Sequence, residues 1–188
     1  MSKRISHVIG FDDAPFDRRH RGDVLLIGTV FANHRLEAVL SAKIRRDGIN
    51  ATDVITTMIK DSRFSPHLQA ILLQGISFAG FNVVDIQRLY DNLDIPVLVI
   101  SRKRPNLSAI RTALLEHVRG GRKKWQLIEK AGVMEAVGNV FVQRVGISLG
   151  STERLIKKLA VNSTLPEPLR TAHLIAGGIV TGESKHRP

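Results

Sequence analysis

The sequence predicts one α/β domain whose mixed sheet begins as an antiparallel three-stranded meander, continues in parallel strands and carries helices on both faces. Three observations predict it. Short unbroken apolar runs, Ala70 to Leu73 and Val97 to Ile100, are separated by a segment of helical spacing, the pattern of parallel strands buried on both sides. Ahead of them lie three apolar or alternating segments, two of which are joined by a tight turn. The chain has 188 residues, 43% hydrophobic and 24% charged. A chain of this size buries roughly 70% of its unfolded surface without staples. No internal repeat, low-complexity stretch or linker divides it, so residues 1–188 read as a single domain.

His7-Val8-Ile9-Gly10-Phe11 is short and apolar and ends on the pair Asp12-Asp13, so it reads as a strand that delivers two carboxylates at its exit. A basic loop from Asp17 to Gly22 follows. Val24 to Ala32 is nearly continuous in apolar residues. Leu36, Ala38, Leu40, Ala42 and Ile44 then alternate beyond Asn33-His34, which makes the two an antiparallel hairpin. Thr52 reads as the cap of a helix carrying Val54, Ile55, Met58 and Ile59, with Asp53 in its first turn. Ala70 to Leu73 is the fourth strand. Val83, Val84, Ile86, Leu89 and Tyr90 mark a helix after the Gly80-Phe81-Asn82 turn, and Pro96 opens the fifth strand.

From Leu107 to Lys130 the spacing is helical, with a break at Gly120-Gly121, and Val137 to Val145 offers one more strand. Ser151 or Thr152 starts a helix with Leu155, Ile156 and Leu159. Pro168, in Leu165-Pro166-Glu167-Pro168, suits the first position of a last helix running to about Val180, because its missing N–H is not needed there. The polar tail 181–188 is expected to fray.

Lys and Arg total 28 against 17 Asp and Glu, a net charge of +11. That balance favours polyanions, although a solvated basic surface gives the same count. The cations bunch at Arg18, Arg19 and Arg21, at Arg45 and Arg46, at Arg102 to Arg104 and at Arg119 to Lys124. Aromatic residues are 5% and do not interleave with basic ones, which argues against a base-stacking platform. With no cysteine, disulfides, thiolate nucleophiles and zinc–thiolate sites are excluded. Apolar stretches too short for a bilayer and a polar start from Met1 to Ser6 predict a cytoplasmic protein without membrane contact. No Ser-His-Asp order, Walker loop or Rossmann glycine fingerprint occurs.

The order of elements is that of the RNase H-like fold, and three motifs resemble endonuclease V, a family that cuts nucleic acid near deaminated adenine. They are Gly10-Phe11-Asp12, then Ile71 through Ile76 with Ile95-Pro96-Val97, and Leu165 through His173. The most specific overlap is with a related, mainly archaeal group, domain-of-unknown-function family 99. It is carried by Gly10 through Phe16, by Gly75 through Asp85 and by the Pro-Glu-Pro helix start, and it covers nearly the whole chain. The resemblance implies a metal ligand at Asp12, a further one at His173, and phosphate contact at Arg102 with Lys103 and Arg104 beside it. Where endonuclease V has a catalytic glutamate, Asp53 stands at comparable spacing. Where it has an aspartate on the central strand, this chain has Gln74, which brings an amide oxygen but no charge.

Each candidate also has a plainer explanation in the residues themselves. Asp12 can cap a turn beside Asp13, Asp53 can complement a helix dipole, and His173, on one face with Leu169, Ala172 and Ala176, can be an interior histidine. Asn82 and Asp85 fit mutual helix capping, yet they sit at the carboxyl end of a central strand, where ligand pockets gather. Asp12, Asp53 and His173 together predict a site for Mg²⁺, or Mn²⁺, oriented for phosphate chemistry, with Asp13, Gln74, Asn82 and Asp85 as further pocket residues. Two functions stay open: a nucleic-acid-binding, Mg²⁺-dependent nuclease with an altered site, or a catalytically inactive binding or regulatory protein on the same scaffold. The sequence leaves the oligomeric state undetermined.

Overall fold

A computed structural model describes residues 5–184. The meander comprises β1 (His7–Asp13), β2 (Asp23–Ala32) and β3 (Arg35–Arg45). It is followed by α1 (Ala51–Lys60), β4 (Ala70–Gln74), the two-residue strands β5 (Ser77–Phe78) and β6 (Asn82–Val83), α2 (Ile86–Leu93) and β7 (Val97–Ser101). Then come α3 (Leu107–His117), α4 (Gly121–Lys130), β8 (Glu135–Val137), β9 (Val140–Val145), α5 (Leu149–Leu159) and α6 (Glu167–Thr181). The main sheet runs β3-β2-β1-β4-β7-β9-β8. β1, β4 and β7 are mutually parallel, whereas β2, β3, β8 and β9 pair antiparallel with their neighbours. This is the expected mixed sheet. It ends in a hairpin where one strand was expected over Val137 to Val145, because Gly138 takes φ 56° and turns the chain.

Strand alternation sorts the core into two layers. Ile9, Phe11, Ile71 and Leu73 face α1 and α2 through Ile55, Ile59, Ile86 and Leu89. Val8, Leu72, Leu98 and Ile100 face α5 and α6 through Leu155, Ile156 and Leu169. α6 lies across β1 and β2, with Ala172 and Ala176 against Ile27. That approach is close because Gly10 has no side chain. A Cβ there would stand 2.7 Å from the carbonyl carbon of Pro168 and 2.9 Å from the backbone nitrogen of Leu169.

Several helix starts differ from the sequence expectation. Thr52 is not a cap: α1 begins at Ala51, whose N–H is met by the buried Asn82 side chain at 3.0 Å. Val83 lies in β6, and α2 begins only at Ile86 with Asp85 as its cap, accepting from Arg88 N–H at 3.0 Å. Asn82 and Asp85 therefore do not cap one another. α5 starts at Leu149, two residues before the expected Ser151, because the Ser148 side chain accepts from Ser151 N–H. In α6 Pro168 is the second residue and Pro166 the cap. α6 ends at Thr181, and beyond it the Ser184 hydroxyl donates to Leu174 C=O at 2.6 Å. Residues 185–188 lie outside the described range, as does the polar stretch up to Arg4. Among the described residues no helix is long and apolar enough to cross a membrane.

Candidate active site

β1 and β4 exit side by side at the carboxyl rim of the sheet. Their register pairs Gly10 with Leu72 and Phe11 with Leu73, and its continuation sets Asp12 beside Gln74. Both alternate onto the α6 face, where the next side chain is His173. The His173 Nδ1 lies 2.8 Å from Asp12 Oδ2, bridging positions 161 apart in sequence. Asp12 Oδ1 accepts from Asp13 N–H at 3.0 Å. Asp12 is only 5% exposed. Burial pushes its carboxyl above the ordinary 3.8, while the hydrogen bond and charge of His173 pull it back. Gln74 Oε1 is also buried and has no hydrogen-bond partner among the described residues. A buried carboxyl group thus lies beside an unmatched amide oxygen.

Two buried contacts fix α6 at this place. Thr29 Oγ1 on β2 donates to Pro168 C=O at 2.6 Å, and Gly10 admits the helix backbone. Neither residue carries a sequence signal of its own, since their roles exist only once the helix lies on the sheet. Only the glycine in Gly10-Phe11-Asp12 could have hinted at it.

Asp13 alternates to the opposite face. Its Oδ2 accepts from Ala79 N–H at 2.7 Å, and burial together with the Asp12 charge pushes its carboxyl up to about 7. Asp53 does not join Asp12 and His173, contrary to expectation. It sits on α1, on the other face of the sheet, more than half exposed and ion-paired with Arg88. Its position in the first turn of α1 complements the helix dipole. Asp85 and Asn82 tie neighbouring elements together. Asp85 caps α2 and pairs with Lys130 at 2.9 Å. Burial opposes its charge, but the Arg88 N–H and Lys130 outweigh this and hold its carboxyl below 3.8. Asn82 is fully buried, donating to Arg45 C=O and Asn50 Oδ1, both at 2.8 Å. Among the described residues no three His, Asp or Glu side chains converge as a metal cluster.

Arg102, Lys103 and Arg104 are exposed on the loop leaving β7, on the same rim, with Arg104 5.4 Å from the Phe141 ring centre. Two residues beyond Gln74 the chain enters the wall of a mostly apolar pocket of about 460 Å³. It is lined by Ile76, Phe81, Arg104, Trp125, Met134 and Gln143 among others. No local pattern announces it, because its walls come from five separate segments.

Residues 4–180 match the family described as endonuclease dU. A UPF0215 protein of Deinococcus radiodurans is 51% identical over 181 residues, covering 96% of this chain and 92% of its own. The crystal structure of a protein of unknown function from Archaeoglobus fulgidus superposes with a TM-score of 0.88 at 32% identity, over 94% of this chain and 99% of that one. Ciona intestinalis endonuclease V, crystallised with a 24mer DNA containing an inosine followed by a ribo-adenosine, superposes with a TM-score of 0.59 at 14% identity, over 90% and 83%. At that identity the likeness is one of fold, and it identifies the architecture as the RNase H-like fold of endonuclease V.

Proposed function

Because this chain belongs to the endonuclease dU family, we propose that it is a cytoplasmic, nucleic-acid-binding endonuclease that depends on a divalent cation, with its chemistry centred on Asp12, Gln74 and His173. The observation that carries this reading is the 2.8 Å contact between buried Asp12 and half-buried His173, beside the unmatched Gln74 Oε1. The fit to Mg²⁺ or Mn²⁺ rests on those two oxygens, since both ions take hard oxygen ligands and keep several waters. Asp12 and Gln74 would hold the cation, with His173 at its edge. When bound, it supplies Lewis-acid stabilisation of phosphate charge and an activated water.

The chain's own groups divide the remaining tasks. His173 orients the Asp12 carboxylate through Nδ1 and can hold or release a proton there. Arg102, Lys103 and Arg104 neutralise phosphate oxygens along the rim. The pocket beside Phe81 and Trp125 falls within the usual range of about 300–1,000 Å³ for small-ligand sites and offers an apolar seat for a base drawn out of the helix. A second reading, an inert nucleic-acid-binding protein on the same scaffold, is favoured by one observation: beside Asp12 the neutral Gln74 brings no second charged oxygen.

The two readings part on metal and on cleavage. Calorimetric titration of Mn²⁺ and Mg²⁺ is expected to show saturable binding that Asp12→Ala abolishes. Metal-dependent cutting is expected in a panel of single-stranded, duplex and RNA oligonucleotides carrying deoxyuridine, deoxyinosine or no lesion. The family's description makes deoxyuridine the first lesion to try. Absence of both metal binding and cutting would leave the inert reading standing.

A further inference from the structure

The rim has a second basic wall that the proposed centre does not use. β2 begins and β3 ends at the same end of the sheet as the Asp12 exit, Asp23 pairing with Arg45. Between Asp13 and β2 the chain makes a loop that is tied down at several points. Ala14 N–H donates to Leu25 C=O at 2.8 Å, Arg19 N–H to Asp17 Oδ1 at 2.7 Å, and Arg46 N–H to Gly22 C=O at 3.0 Å. The Arg46 guanidinium is spent inside this structure, donating to Arg18 C=O at 2.7 Å and to His20 C=O, and lying 5.6 Å from the Phe16 ring centre.

Arg46 therefore builds the loop, and what the loop presents is Arg18, Arg19 and Arg21. All three are exposed, and none of their guanidinium groups has a carboxylate partner among the described residues. With Arg45, whose approach to Asp23 is a loose 3.6 Å, they surround a polar cleft of about 700 Å³. The only carboxylate in its lining is Asp47, already engaged by Arg46 and by Phe81 N–H at 2.8 Å. Holding these like charges together on an ordered loop costs electrostatic energy that Asp23 and Asp47, each engaged by Arg45 or Arg46, offset only in part. An anion with several phosphates would offset that cost.

We propose that this cleft is a second phosphate-backbone site, which holds a nucleic-acid strand on the β3 side of Asp12 while Arg102 to Arg104 hold it on the β7 side. The inference rests on the endonuclease reading for its ligand, and the sheet order supplies the geometry. β1 and β4 are central, β3 and β7 flank them, and one strand crossing the rim meets cation, Asp12 and cation in turn. Arg18 to Arg21 are six to nine residues from Asp12, hence within about 20 to 30 Å. At roughly 3.4 Å of rise per nucleotide, these arginines serve phosphates no more than about nine nucleotides from the reacting one.

The test measures affinity for an undamaged, labelled single-stranded DNA in EDTA, so that no cutting intervenes, across a salt series. R18Q/R19Q/R21Q is expected to flatten the plot of log Kd against log salt by about 2 to 3, at roughly 0.7 to 0.9 for each phosphate no longer neutralised. The control R35Q/K60Q/R63Q removes equal charge from exposed cations at the opposite end of the sheet, by the β2–β3 turn and the end of α1, and is expected to leave the slope within about 0.5 of the original. An unchanged slope in the loop variant, or an equal flattening in the control, overturns the cleft while the endonuclease reading stands. Polyglutamate displacing the DNA at equal charge concentration overturns the cleft by reassigning it to acidic protein segments. An unmutated protein with no salt-sensitive DNA affinity overturns the nucleic-acid reading itself.

Discussion

Replacing Gly10 by alanine tests how the site is assembled, because that position sets the distance between β1 and α6. The added Cβ would lie 2.7 Å from both the carbonyl carbon and the Cβ of Pro168, and 2.9 Å from Leu169 N. Comfortable carbon contacts begin near 3.5 Å, so the first turn of α6 must retreat by roughly 0.8 Å. It cannot do so freely. Thr29 Oγ1 grips Pro168 C=O at 2.6 Å, and Leu169 and Ala172 are fully buried. Overpacking against backbone that has no rotamer to change belongs in the upper part of the usual cost, about 2–3 kcal/mol. For a chain of this size that lowers Tm by about 4–12 °C. A rigid retreat of the same extent stretches the 2.8 Å His173–Asp12 hydrogen bond to about 3.6 Å, beyond hydrogen-bonding reach. Calorimetric melting of Gly10→Ala, with NMR of the His173 ring nitrogens, measures both effects. A Tm within about 1 °C of the parent, a shift worth less than about 0.5 kcal/mol, together with unchanged His173 signals, would refute the idea that this glycine seats the helix.

Three further outcomes are expected. Asp13 ionises near 3.8 when unfolded and at about 7 when folded. The folded state alone keeps that proton between these values, so its contribution to stability is full below about pH 4 and falls away as pH rises through about 7, on the order of 4 kcal/mol in all. Urea midpoints in EDTA should drop less over this range for Asp13→Asn, and parallel pH curves for the two proteins would contradict it. Asn82→Ala strips partners from Ala51 N–H and Arg45 C=O in a fully buried place. It should cost roughly 2–4 kcal/mol in urea unfolding, and a change below about 1 kcal/mol would show that the joint between β3, α1 and β6 does not rely on it. Gln74→Asp adds a charge beside Asp12 and is expected to tighten Mn²⁺ at least about 10-fold by calorimetry, or about 1.4 kcal/mol, while destabilising the metal-free protein. Unchanged Mn²⁺ affinity would separate Gln74 from the cation.

Much of this molecule was legible as sequence because its signals are local and repeated. Apolar runs of strand length marked the central strands, alternation marked the meander, and the Asp12-Asp13 exit followed from where the first run stops. At α1 the difference has a physical cause. Proximity in the chain points to Thr52 as the cap and to Asn82 as a partner for Asp85, yet the free N–H of Ala51 is met by Asn82, 31 positions away. A capping side chain needs only to be near in space, and local pattern carries no record of that.

The candidate site divides along the same line. Sequence alone determined which residue types are present to do chemistry, with Asp12 at a strand exit, His173 on the inward face of a helix and a neutral Gln74 between expected acids. Only the tertiary structure decided which of them meet. Asp12 and His173 are joined across 161 positions because Gly10 and Thr29 hold α6 against the sheet. Asp53 falls on the other face because α1 packs against the odd-numbered side chains of β1 rather than the even ones. Periodicity assigns a residue to a face, but which helix covers that face is settled by long-range packing of the whole chain.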